Sequence, residues 1–393
     1  MKKLVLMVIS ILIVLATMAS ISRFSNPNVK VTLVKTRFAQ LPAWNRDHQG
    51  VALLAFQHSC QEILKRNPYT LFSNLAHAGT VGYWQQACLA ADKISANDLP
   101  RARMFFETWF EPYRINDSYH RRSLFTGYYL PLLHGSLRPD QHYNVPIYAL
   151  PNDLIKINLG LFKPALNGIT LVAQQRNNQL YPYPARAEIN AGAIIKSARV
   201  LLWADNPLDV FFAQIQGSAL VELPDHQQLL ISYAGTNGRP YTPIGNVLIA
   251  NKVLTKKMVS MQTIRDWLTQ HSNATDAVLN KNASYIFFSV TKASPAQGSE
   301  HVPLLPGRSI AVDNSVIPYG APLWINTTAP QRNATVAVPL QRLLIAQDTG
   351  GAIKGTVRGD VYWGAGEEAA YIAGHMQSAG QLWILLPRQG VTR

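Results

Sequence analysis

The chain has 393 residues, enough for two or three domains with a sizeable core. Hydrophobic residues make up 48% and charged ones 15%, which excludes an intrinsically disordered chain. The formal net charge of +14 reflects a shortage of acids and suits an anionic partner, but Lys and Arg are spread out, so nucleic acid is not expected.

Lys2 and Lys3 precede an apolar stretch from Leu4 to Ala19, broken by Ser10 and Thr17. A charged step followed by an apolar run is the pattern of an export signal. Residues 1–22 are therefore expected to be a signal peptide or a retained signal anchor, with Thr17-Met18-Ala19 as a passable cleavage site. The first cysteine is Cys60, so a lipid anchor on cysteine is not expected. Export implies an oxidising compartment, where Cys60 and Cys88 either pair or stay as two buried thiols. Neither belongs to a metal-ligand spacing, and no metal or cofactor is expected.

Val29, Val31 and Leu33 alternate with polar neighbours and read as a short strand. Apolar residues then recur at helical spacing from Asp47 to Lys65, around Trp84, Cys88 and Ala91, and from Pro100 to Phe110. After Phe125 the pattern turns to short strands. Gly168–Gln175, Val200–Trp203, Val210–Gln216 and Leu229–Tyr233 are predicted strands, with turns at Asn177-Asn178 and Pro224-Asp225-His226. A helical interlude follows from Asn246 to Leu279, with Ser260 as an N-cap. From Ala283 the chain is again strand-rich, ending on a buried-strand candidate at Leu382–Leu386.

Between His301 and Trp363 there are only three acids: Asp313, Asp348 and Asp360. Each ends or opens an apolar run, although Asp disfavours strands. Each alone fits a turn cap. Together they suggest carboxyls in a partly apolar cleft, where burial keeps an acid protonated near neutral pH. Gly350 and Gly351 allow a bulky ligand to approach the backbone. Lys354 and Arg358 lie between the later two aspartates, and a cation beside a carboxyl lowers its pKa. One aspartate is thus expected to be ionised and another neutral, without the sequence saying which.

Five ordered segments carry a resemblance. They are Phe125-Thr126-Gly127-Tyr128-Tyr129-Leu130-Pro131, the run Phe211 to Ser218, the run Tyr233 to Tyr241, Pro306 to Asp313, and Asp348 to Gly364. The chain resembles the membrane-bound lytic murein transglycosylase A family over nearly its whole length after the N-terminal segment. The resemblance implies a mainly β fold, α+β overall: a double-psi β-barrel main domain with an inserted smaller β domain and an N-terminal helical layer. The expected divisions are 27–129 and 241–393 for the main domain and 130–240 for the insert. It implies non-hydrolytic cleavage of peptidoglycan glycan strands by one acid/base carboxylate, matched by Asp360, with Asp348 and Asp313 beside it. Glycan-contact candidates are Thr126, Tyr128, Tyr129, Gln214, Gln216, Gly217, Tyr241, Gly350, Gly351 and Lys354. Aromatic faces and amide groups suit sugars. The expected setting is the bacterial periplasm or a membrane of the envelope, with room for partner wall enzymes. A true hydrolase and a non-catalytic wall-binding protein are the alternatives.

Overall fold

A computed structural model describes residues 31–117, 123–256, 258–292, 296–332, 334 and 336–389. The expected signal segment 1–22 and Val29 lie outside the described residues.

The N-terminal layer consists of three helices, Gln49–Ile63, Val81–Ala91 and Leu99–Trp109. The third begins where the Asp98 side chain accepts from the Arg101 amide, with Pro100 in the first turn. Phe56, Phe105, Phe106 and Phe110 pack ring against ring in its core. Cys60 and Cys88 are joined by a disulfide that ties the first helix to the second.

The helices cover a nine-stranded sheet. In spatial order its strands are Val31–Lys35, Phe110–Asp117, Gln381–Pro387, Pro322–Ala329, Val338–Asp348, Ser309–Val312, Arg358–Ala365, Leu124–Leu130 and Gln377–Ser378. Two neighbour pairs run parallel: Ser309–Val312 with Val338–Asp348, and Arg358–Ala365 with Leu124–Leu130. The strand Gln381–Pro387, with Leu382, Ile384, Leu385 and Leu386 fully buried, lies inside the sheet.

A second sheet has six strands: Ile286–Lys292, Gln228–Thr236, Ser218–Glu222, Leu132–Ser136, Val200–Ala204 and Val145–Tyr148. Its first strand in this order lies past the boundary expected at 240. Antiparallel pairing with Gln228–Thr236 and burial of Phe288 in this sheet's core hold it there. A small sheet of Ile155–Asn158, Thr170–Arg176 and Gln179–Pro182 completes the lobe. Leu130, Leu230, Ala296, Leu304 and Tyr362 form an apolar cluster between the large sheet and the six-stranded one.

One predicted strand is a helix. Residues Pro207–Gln216 coil, whereas Val210–Gln216 reads as a strand on its β-branched and aromatic content. The local signals decide it. Asn206 accepts from the Leu208 amide, Pro207 opens the first turn, and Gly217 closes the helix at φ 83°. The run is apolar all round because Val210 and Ala213 face the six-stranded sheet while Leu208, Phe211 and Phe212 pack on the helices Ile244–Ala250, Met261–Gln270 and Ser272–Leu279. Ser260 caps the middle one of these, accepting from the Thr263 amide.

Candidate active site

Two neighbouring strands place the carboxyl of Asp360. Its backbone pairs with Ala311 on one side and Thr126 on the other. Side chains alternate along a strand. Thr126 and Tyr128 therefore share a face with Asp360 and Tyr362, while Phe125 and Val361 fill the core. Trp363 also turns to the core side, over Gly127, where a Cβ would meet its indole at 2.6 Å.

The Thr126 hydroxyl donates to Asp360 Oδ1 at 2.6 Å. Asp360 Oδ2 takes no hydrogen bond from the described residues, and the side chain is half-buried. Burial pushes this carboxyl above its ordinary range; the Arg358 guanidinium and the Thr126 hydroxyl pull it back, and the nearby Asp348 charge pushes it up again. Arg358 itself bonds the carbonyls of Leu124 and Gly359.

Asp348 is held differently. The strand Val338–Asp348 shifts register against Ser309–Val312 just before it, so that Ile310 faces Ala346 but Ala311 faces Asp348. Such a bulge re-aims a side chain. Asp348 Oδ1 accepts from the Ser299 amide at 2.9 Å, the Ser299 hydroxyl at 2.7 Å and the Thr349 amide at 2.8 Å. Its Oδ2 accepts from the Tyr128 hydroxyl at 2.9 Å. Burial raises this carboxyl too, against the pull of those four bonds. Donors of this kind favour the ionised form. Burial and the Asp348 charge together keep the Tyr128 hydroxyl protonated.

Asp313 is buried and ties two loops together. It accepts from the Ser315 amide and hydroxyl and from the Gly355 amide, and Lys354 Nζ lies 3.8 Å away. The two cations expected between the later aspartates thus diverge: Arg358 lowers the raised Asp360, whereas Lys354 lies beside Asp313.

The glycan-contact candidates also divide. Thr126 and Tyr128 touch the aspartates, and the Gln216 side chain accepts from the Tyr129 amide, bringing the helix end at Gly217 to the same strand. Gly351 and Lys354 are exposed and Gly350 is half-buried. Tyr241 is exposed on the smaller lobe. Gln214 is buried. Its side chain belongs to the interior beside Tyr285 and is not presented at the surface.

Sequence reasoning missed Ser299, whose two bonds make it the main clamp on Asp348. It also missed a buried polar chain behind that clamp. Ser59 donates to Glu300 at 2.6 Å, Gln347 donates to Ser59 and to the Ala55 carbonyl, and Ser309 donates to Gln347. Burial pushes the Glu300 carboxyl up to about 8, partly offset by the Ser59 hydroxyl. Among the described residues no group of His, Cys, Asp and Glu is placed to hold a metal ion. A cavity of about 420 Å³, lined by Lys35, His77, Glu111, Tyr113 and Arg388, lies away from the aspartates at the other end of the sheet.

Comparison with known proteins fits this geometry. Residues 124–289 match the family model described as the MltA specific insert domain, and residues 308–386 match the 3D domain. The membrane-bound lytic murein transglycosylase A of Vibrio cholerae is 34% identical over 265 residues, covering 67% of this chain and 65% of that protein. The chain thus spans about two thirds of the length of the curated relatives it matches. The crystal structure of a membrane-bound lytic murein transglycosylase from Agrobacterium tumefaciens superposes with a TM-score of 0.80 at 32% identity, over 91% of this chain and 98% of that one. The structure of Escherichia coli MltA with bound chitohexaose superposes with a TM-score of 0.63 at 26% identity, over 92% of this chain and 95% of that one. A two-lobed α+β protein with paired carboxyls at the sheet junction is the class that the fold and site define. Within it, this chain belongs to the membrane-bound lytic murein transglycosylase A family.

Proposed function

We propose that the chain is a lytic transglycosylase that cuts the bond between N-acetylmuramic acid and N-acetylglucosamine in peptidoglycan without consuming water. One observation carries the reading: a half-buried carboxyl, raised by burial, keeps one oxygen unbonded while Thr126 holds the other. That oxygen would carry and release the proton in the proposed reaction.

In the proposed reaction, Asp360 gives its proton to the bridging oxygen as the bond to the muramyl C1 breaks. N-acetylglucosamine leaves with that proton. The positive charge at C1 is stabilised by ionised Asp348, aided by the substrate's own acetamido group. Ionised Asp360 then takes the proton of the muramyl C6 hydroxyl as its oxygen closes onto C1. The product is a 1,6-anhydro ring, and Asp360 is again protonated. The internal hydroxyl outcompetes water because it is already positioned. Asp313 acts through the glycine-rich loop, holding Gly355 in place.

Thr126, Tyr129, Gln216 and Tyr241 line the proposed path of the strand, with Gly350, Gly351 and Lys354 beside Asp348. The nine-stranded sheet is proposed to close as a double-psi β-barrel. Two bonds support closure: Thr328 Oγ1 to Ser378 and Thr327 Oγ1 to the Ala379 carbonyl bring the far edge back to the strand Pro322–Ala329. The three-stranded and six-stranded sheets would form the inserted domain. The relatives' names fit an envelope location, and anionic stem peptides suit the chain's positive charge.

Digestion of purified sacculi followed by mass analysis of the muropeptides tests this. Products lighter than hydrolytic ones by one water are expected. Hydrolytic muropeptides would make the chain a hydrolase, and undigested sacculi would make it a wall-binding protein.

A further inference from the structure

The strand Val338–Asp348 breaks its ladder once, and Gln347 is the residue at the break. Ile310 pairs with Ala346 and Ala311 with Asp348, so Gln347 is the extra residue of the bulge. Its side chain is fully buried, and both of its polar atoms have partners. Nε2 donates to the Ala55 carbonyl at 2.8 Å and to Ser59 Oγ at 3.0 Å, and Oε1 accepts from Ser309. Ala55 and Ser59 stand one turn apart on the helix Gln49–Ile63. The bulge is therefore pinned to the N-terminal layer.

The main chain of Gln347 is held from another side. Its carbonyl accepts from the Glu300 amide at 3.1 Å. Gly298 lies so near the same carbonyl that any Cβ would strike its oxygen. Gly298 and Glu300 belong to the turn between Gln297 and Pro303, which pair across it. Between them stands Ser299, exposed, with its amide and hydroxyl on Asp348. Glu300 is buried, and Ser59 donates to its carboxyl at 2.6 Å. One helical hydroxyl thus reaches both the residue before Asp348 and the residue after its clamp.

A buried polar chain is costly, but when its members are bonded it fixes one arrangement of the segments it joins. We propose that Gln347 and Glu300 are positioning residues for Asp348, joined through Ser59, which lock the bulge to the turn and so keep Ser299 on the carboxylate. Neither residue touches substrate. What the lock does for turnover rests on the proposed reaction, in which Asp348 carries the charge that faces C1. The N-terminal helices then support the site as well as cover the sheet.

The test reads Asp348 directly. The full chain is labelled with carbon-13 at its aspartate carboxyls, and the Asp348 signal is assigned by its absence in Asp348→Asn. Glu300→Leu removes the acceptor of Ser59. Ser59→Ala removes the same bond from the other end by deleting one oxygen, and it decides the matter if Glu300→Leu fails to fold. Donors favour an ionised carboxyl. Both variants should loosen Ser299 and move the Asp348 midpoint to higher pH. Burial raises Glu300 to about 8, with Glu62 adding to the rise and Arg66 opposing it, so the carboxyl is mostly neutral at pH 7. Glu300→Gln should therefore restore the wild-type midpoint. Tyr128, Tyr319 and Asp360 also face Asp348, and none of these variants alters them. Ser299→Ala should raise the midpoint by itself, and adding Glu300→Leu should raise it no further, because the lock acts through Ser299. An unmoved midpoint in either folded variant, or an additive shift in the double variant, would overturn the inference. In digests of solubilised glycan strands, Glu300→Leu should lower kcat about tenfold or more with little change in KM. If the wild-type chain makes anhydro products but Glu300→Leu keeps full kcat, the inference is overturned as well. If the wild-type chain makes none, the proposed reaction falls, and the carboxyl signal still judges the lock.

Discussion

The strand end that carries Asp348 and the strand that carries Asp360 both flank Ser309–Val312 but hold their carboxyls by opposite means. Asp348 is reached by four donors, three drawn from chain segments far from it and one from its own turn. Asp360 is set by cross-strand pairing and accepts one bond, from its ladder partner Thr126. The difference teaches a division of labour. In the proposed mechanism the carboxylate that holds a charge is ringed by donors, and the carboxyl that passes a proton is left half free.

Breaking the free half should cost most. Asp360→Asn is expected to lower turnover by about a thousandfold or more while sacculus binding persists, as a paired digestion and pull-down would show. Substantial activity in that variant would remove the assignment. Asp348→Asn should come next, with about a hundredfold loss. It also removes a charge that raises Asp360. The acid must be protonated to act, so kcat/KM falls as pH rises through its pKa. In Asp348→Asn that alkaline fall should move to lower pH.

Thr126→Val sharpens the contrast in the other direction. The Thr126 bond favours ionised Asp360. Its loss should carry the alkaline fall to higher pH, with a change in kcat/KM at neutral pH of about tenfold or less. Opposite movements in the two pH profiles are the signature of the arrangement. Parallel movements would contradict it.

The smallest expected effect is on stability. Glu300 is 7% exposed and is raised from 4.5 to about 8 in the folded chain. A raised acid contributes stability below its unfolded value, and that contribution is lost as pH rises towards the folded one. Between pH 4.5 and about 8 the native chain should therefore lose stability steadily. Glu300→Gln should remove about 1–3 kcal/mol of this loss across the window, measured by denaturant unfolding at a series of pH values. An unchanged slope would place the effect elsewhere.

Much of this was legible before the fold. Helical spacing marked all three N-terminal helices, and Ser260 marked a cap. Asp313, Asp348 and Asp360 stood out together because Asp disfavours strands, and only the family resemblance singled out Asp360. Ser299 did not stand out: its partner lies 49 residues along the chain, and nothing local to a serine in a turn announces that. Composition reads Val210–Gln216 as a strand, but the Asn206-Pro207 opening and the Gly217 stop make Pro207–Gln216 a helix. Lys354 and Arg358 were grouped by sequence proximity, but strand and loop send them to different aspartates.

One strand sets a timetable. Gln381–Pro387 sits between Phe110–Asp117 and Pro322–Ala329, so the two earliest strands of the large sheet join it only through the strand of that sheet that is made after all the others. A nascent chain that has not yet emerged past Pro387 lacks that keystone. Such a nascent polypeptide cannot complete the sheet that positions Asp348 and Asp360.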